Sequence, residues 1–428
     1  MITDTKTKLI TSFYKDAPQI QNSYGSLSTV LTKCLTEGFN EQSVNGFEEE
    51  GDQIVVKLLR NHGYVQNSVI AISDASLTEL NGEFRVLSSN HESIHIKRPE
   101  GLSLDTSALE DSCKIRIAPL GYEIVYENTS KTTICFRSKS KNTPGILKII
   151  DEIPPNGYST GWAKYARVVA GQEVDSSGAF LSDIKVPYSK QYPNVEHTGN
   201  GVTGASGIHG FAKWHYAFGT DGYNRENYGP YNHFPKNWKI IGDGDTFYLI
   251  LDPSQPDRFL MYGFGAYISE NKEETTNICL QAHDRYVAAA SSDTEHMYER
   301  SDFRFGSSTR NQGSFLLSTI YEQFQTNCRY TSFGLYVGDS YYDRPWHSDS
   351  IRSMNPSSGQ VVAGLVYILD NNKYVRGFHR GFRYIYGNSS ELSTGSTSNT
   401  GEIIIDIIDP ERDRNMSYVF SLKDWEEV

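Results

Sequence analysis

Three histidines, His209, His215 and His233, lie close enough along the chain to suggest a metal site, since neutral imidazole is a common zinc or iron ligand. Their spacings of six and eighteen residues match neither one helix face nor one strand face, so no metal is expected there. The segment Gly199 to Gly204, GNGVTG, fits G-x-G-x-x-G letter for letter. A dinucleotide fingerprint also needs a strand before it and a helix after it, so that the pyrophosphate meets a helix N-terminus. KQYPNVEHT precedes and ASGIHGFAKWH follows, and neither fits. GDGDTFYL, Gly242 to Leu249, opens like a calcium loop, but counting from Asp243 the twelfth position is Ser254, which cannot give a bidentate carboxylate. A turn between two strands is the expectation.

Other chemistry is equally thin. Cys34, Cys113, Cys135, Cys279 and Cys328 are odd in number and show no CxxC, which argues for small core residues rather than a disulfide frame or zinc ribbon. No GxSxG elbow occurs. Asp284, Glu295, Asp343 and Asp349 could pair as glycosidase carboxylates, but a chain with 52 acidic residues offers many such pairs. No catalytic residue, metal or cofactor is therefore assigned.

The informative polar stretch is FAKWHYAFGTDGYNRENYGPYNHF, where Trp214, Tyr216, Tyr223, Tyr228 and Tyr231 are interleaved with Asn, Arg and Gly. Rigid amphipathic rings in such a setting suit docking of a protein partner or stacking on sugar, and they also suit packing of a loop onto its own domain. The five rings are taken as interface candidates on a long aromatic loop spanning residues 186–235.

The elements that would position these groups are mostly strands. The 428 residues exceed one ordinary core. With 36 Gly, 28 Tyr and 38% hydrophobic residues, the composition favours turn-rich β-structure. A net charge of −12 provides no footprint for a phosphate backbone, so nucleic acid and anionic membranes are not expected partners. No apolar run reaches eighteen residues and the N-terminus shows no apolar leader, so synthesis in a cytosol without membrane insertion is expected.

One strong helix pattern occurs. Leu27, Val30, Leu31, Cys34 and Leu35 form a single stripe, with Ser26 as the expected N-cap and Gly38 as the stop. So short a helix is marginal in water. Leu27, Leu31 and Leu35 are thus candidates for docking, on a neighbouring subunit or on the body of the chain.

From residue 52 the period becomes two, with strands expected at 53–59, 68–73, 83–88, 93–97 and 112–117, Ile94, Ile96, Ile115 and Ile117 facing inward. His62 and His95 are expected as solvated strand-end residues. Short strands continue from 119, with one weak helix pattern near 316–325. The expected organisation is a mainly β, multidomain chain: an N-terminal arm and docking helix (1–45), a small five-stranded barrel or sandwich (46–118), and a larger sandwich-like β body (119–428).

Several segments taken in order carry a resemblance: YGSLSTVLTKCLTEGFN, NHGYVQNSVIAIS with LNGEFRV, IAPLGYEIVYENTSKTTICFR, KNWKIIGDGDTFYLI, YGFGAYIS and KYVRGFHRGF. As a set they resemble a family of virion structural proteins encoded by tailed bacteriophages and prophages. The resemblance implies that Leu27, Leu31 and Leu35 form the helix face and that Gly63 and Gly82 make barrel turns. It further places Trp238, Gly242 and Tyr248 in a hairpin and Gly377 and Gly381 at a late turn. Tyr122 stands where that family usually has Trp, and the 186–235 loop is longer than expected. The implied role is a non-enzymatic part of the virion, in tail, baseplate or collar, with other virion proteins and copies of itself as partners. A receptor-binding protein touching host surface glycan through the aromatic loop is the alternative.

Overall fold

The computed structural model describes residues 3–104, 113–139, 144–153, 164–186, 211–217, 236–251, 260–271, 276–283, 315–321, 324–332, 362–369, 375–386, 402–409, 414–423 and 425. The described chain is mainly antiparallel β-structure arranged in several sheets, with one short helix, as composition implied.

Residues 39–117 hold two four-stranded sheets instead of the expected five-stranded unit. In one, Phe39–Ser43 pairs with Lys114–Ile117, which pairs with Val69–Ser73, which pairs with Gly82–Arg85. In the other, Gly46–Glu50, Gln53–Lys57, Ser93–Lys97 and Ser88–Ser89 follow in order. The strands that sequence reading missed, Phe39–Ser43 and Gly46–Glu50, are edge strands whose solvent side carries Glu and Gln, so their apolar alternation is faint. Ile94, Ile96, Ile115 and Ile117 are buried together, as period two requires.

His62 departs from expectation. It is buried, its Nδ1 accepts the Tyr64 N–H (3.1 Å), and its Nε2 therefore carries the proton and donates to the Asn90 carbonyl (2.8 Å). Burial lowers its pKa, which keeps the ring neutral. His95 keeps a partly exposed side chain near Glu50.

In the body, Glu123–Glu127, Thr133–Arg137, Ile146–Ile150, Lys164–Gly171 and Ala212–Ala217 form a consecutive antiparallel ladder. Ile146–Ile150 and Lys164–Gly171 are buried on both faces, Lys148, Lys164 and Arg167 included. A second run begins with the hairpin Trp238–Gly242 and Thr246–Leu251 and continues through Leu260–Ala266, Asn277–His283, Phe315–Tyr321, Phe324–Ser332, Val362–Leu369 and Val375–Tyr386. Arg414–Ser421 and then Glu402–Asp409 follow it. The weak helix pattern at 316–325 is thus a strand pair: Ser, Thr and Gln between apolar residues satisfied a helical period by chance, and ladder pairing decided the outcome.

The N-terminal arm is built into this frame. Lys8–Thr11 adds an antiparallel strand to Trp238–Gly242, and one continuous apolar cluster runs from Ile10 and Ile20 through the helix and small sheets into the body. No helix among the described residues is long and apolar enough to cross a membrane.

Candidate functional site

The helix spans Ser26–Thr32 and continues as a wider π-turn over Lys33–Glu37. Its N-cap is Gly25 in the left-handed region, not Ser26, whose hydroxyl turns back to the Gln21 and Ser23 carbonyls. The stop at Gly38 holds: φ is +78°, and an added Cβ would strike the Ile117 carbonyl. Leu27, Val30, Leu31, Cys34 and Leu35 are fully buried in the core of their own chain. Leu27, Leu31 and Leu35 are therefore docked on the body and unavailable to a neighbouring subunit.

Three backbone bonds fix the far end of this helical segment, from Leu120 N–H to the Cys34 carbonyl and from Gly121 and Tyr122 N–H to that of Leu35. At the near end Asp151, the residue after the buried strand Ile146–Ile150, points its carboxyl at the helix start. Asp151 Oδ2 accepts the Ser28 N–H (3.0 Å), and Oδ1 accepts the Tyr216 hydroxyl (2.6 Å). The helix dipole and these donors favour the carboxylate, yet burial dominates and raises the Asp151 pKa from 3.8 to about 6. The Tyr216 hydroxyl is pushed well up by burial and by the adjacent acid, so it stays protonated.

Tyr216 and Trp214 thus lie in a strand, not a loop, and face the core. Trp214 has no exposed surface, stacks on Tyr262 with centroids 5.4 Å apart, meets Phe247 edge-on at 6.1 Å, and donates from its indole N–H to the Gln281 carbonyl (2.9 Å). Their role as interface anchors is withdrawn, because both rings are consumed by the chain's own packing. The period-two spacing of Trp214 and Tyr216 was the available signal, masked by the Gly- and Asn-rich residues around it. Tyr223, Tyr228 and Tyr231 lie outside the described residues, as do His209, His233, Gly199 to Gly204 and the carboxylates Asp284, Glu295, Asp343 and Asp349.

A second polar junction joins the segments that carried the resemblance. Asp243 Oδ1 accepts the Asp245 and Thr246 N–H groups (2.8 Å each), closing the expected turn of the Trp238–Leu251 hairpin. Arg380 reaches the carboxylates of Asp243 (3.3 Å) and Asp245 (3.4 Å) with almost no exposure. Tyr248 donates to the Arg380 carbonyl (3.0 Å), and burial lowers the neighbouring His379 to a pKa of about 3. Gly381, at φ +74°, lies under the Trp425 ring, and Gly377 lies against the Ile268 carbonyl. Tyr122, in the position where Trp was expected, packs its ring edge-on against Phe247 at 5.6 Å.

The arm closes a third junction. Arg85 donates to three carbonyls, those of Asp4 (2.6 Å), Thr7 (2.6 Å) and Asn67 (2.8 Å), and Lys8 pairs with Glu83 (2.7 Å) while reaching the Pro119 carbonyl. Thr7 Oγ1 donates to the Lys423 carbonyl (2.9 Å), so the first residues touch the small sheets, the hairpin and the C-terminal segment. Asp151, Arg85, Lys8 and Arg380 were not foreseen, because a lone charged residue after or within an apolar strand is indistinguishable in sequence from a solvated one. Cys34, Cys113, Cys135 and Cys279 are buried, and burial raises the Cys34 thiol well above its usual range, which makes it inert. No cluster of three metal-ligating side chains occurs among the described residues.

No protein-family model matches the sequence, and no curated protein does. Among solved structures the chain is similar to one described as Phage phi92 endosialidase, at 8% identity and a TM-score of 0.16, over 90% of this chain and 52% of that one. The chain thus spans about half the length of that solved protein, and a likeness of this size carries no argument about fold or activity.

Proposed function

We propose that the chain is a structural component of a tailed-phage virion, in the tail, baseplate or collar, that works through protein–protein contacts and has no chemical step of its own. The observation supporting this reading is the way the resemblance-bearing segments interlock. The arm, the helix, the entry at Ala118 to Tyr122, the Asp243 turn and the Arg376 to Phe382 strand are separated by up to hundreds of residues, yet they close on one another through buried ion pairs, backbone bonds and rings. Side chains spent in this way hold a fixed shape; they are not left open toward a substrate.

The particle is the place to test it. Quantitative mass spectrometry and a cryo-EM map of purified virions should find this chain at a fixed, symmetric copy number. Absence from the particle would sink the proposal. Clearing of host capsule by the free protein would replace it with an enzymatic role. Receptor binding through surface glycan, the alternative, now rests on Tyr223, Tyr228 and Tyr231, and it would be favoured by free protein that blocks adsorption.

A further inference from the structure

We propose that Asp151 and Tyr216 form a proton-controlled latch that grips the start of the helix and the end of the arm tightly when Asp151 is protonated and loosely when it is ionised. The geometry places three elements on one carboxyl. The helix supplies the Ser28 N–H (3.0 Å), the strand Ala212–Ala217 supplies the Tyr216 hydroxyl (2.6 Å), and the same hydroxyl lies 3.3 Å from the carbonyl of Ser23 at the end of the arm.

Two proton arrangements fit these atoms. With Asp151 ionised, the Tyr216 O–H donates to Oδ1, and the Ser23 carbonyl loses that donor. With Asp151 protonated, the acid O–H donates to Tyr216 Oη, and the phenol proton turns to the Ser23 carbonyl. The arm then gains a bond, and no charge remains buried. Ionisation therefore costs twice: a full negative charge sits in a site with no exposed surface, and one arm contact is given up.

The groups facing the carboxyl are Tyr216 of the strand Ala212–Ala217 and the Gly25, Leu27 and Ser28 backbone at the helix start, while Tyr24 and the Ser23 carbonyl of the arm bear on the Tyr216 hydroxyl. Lys164 of the neighbouring strand sits over the Tyr24 ring at 5.5 Å, and its own pKa is lowered by burial. Next in sequence, Glu152 is occupied by Asn128, Thr132 and Thr133 and held below the usual range, while Lys131 pairs with Glu127 at 3.6 Å. Of the acids Asp151 and Glu152 at this junction, Asp151 is the one placed to change charge between weakly acidic and neutral pH, in support of the geometric case.

Hydrogen exchange of the full chain, followed by mass spectrometry and corrected for intrinsic rates, tests the latch. Protection of the peptides covering residues 23–38 should fall by roughly 100-fold as pH rises through the interval from 3.8 to about 6, and change little above it. Asp151→Asn, whose amide can donate to Tyr216 Oη as the acid does, should abolish that dependence. Tyr216→Phe removes a donor to the carboxylate and should move the transition to higher pH. Flat protection in the wild type overturns the proposal, and so does the same dependence persisting in Asp151→Asn. If Asp151→Asn does not fold, an unmoved transition in Tyr216→Phe decides against it equally.

Discussion

Truncation of Trp214 to Ala separates a core ring from a surface one. The indole has no exposed surface, and it lies between Tyr262 and Phe247 with its N–H on the Gln281 carbonyl. Removing a buried Trp side chain costs about 3 to 5 kcal/mol in transfer and cavity terms. The lost indole hydrogen bond adds about 1 kcal/mol, and two lost aromatic contacts of about 0.5 to 1.5 kcal/mol each overlap with the first figure. A total near 5 kcal/mol is comparable to the whole stability of many domains. Trp214→Phe keeps a ring against Tyr262 and gives up mainly the hydrogen bond and part of the volume, so about 2 kcal/mol is expected. The assay is urea denaturation followed by far-UV circular dichroism. With a slope of about 1 to 3 kcal/mol per molar, Trp214→Ala should lower the midpoint by more than 1 M or prevent folding, and Trp214→Phe should fall between it and the wild type. Wild-type midpoints in both variants would refute the reasoning, because they would mean that the ring contributes nothing to the core and is free for an outside partner.

Other outcomes follow from the same packing. Gly381→Ala should cost at least about 2 kcal/mol, from the left-handed backbone and from collision with the Trp425 ring, whereas Gly51→Ala, at φ +63° with open space around it, should cost only the backbone share of about 1 kcal/mol; thermal melts compare the two. Arg380→Ala strips the partner from two poorly exposed carboxylates and should cost about 3 to 5 kcal/mol, against at most about 0.5 kcal/mol for Lys33→Ala in its exposed pair with Glu37, measured by denaturant midpoints. His379 and His62 both have lowered pKa values, so the unfolded chain binds their protons first: stability should fall as pH drops below 6.5, opposite in sign to Asp151, and proton NMR should show His379 titrating well below that value.

Much of the architecture was legible in residue order, because a strand or helix with one buried face must repeat its apolar residues at the period of its backbone. The stripe Leu27, Val30, Leu31, Cys34 and Leu35, the alternation around Ile94 and Ile115, and the turn at Asp243 all declared themselves in this way, and each stands where its local chemistry placed it. Tertiary structure alone decided three other matters. Phe39–Ser43 and Gly46–Glu50 became strands only because neighbours offered them a ladder. Trp214 and Tyr216 became core because the sheet brought Tyr262, Gln281 and Asp151 to their faces, although an aromatic ring has the same sequence signature whether it meets its own domain or a partner. Asp151, Arg85 and Arg380 gained their roles from residues as much as 137 positions away, as in the Arg380 to Asp243 pair, and the burial that shifts a charge or fixes an ion pair is a property of what surrounds it in space, which no local pattern encodes.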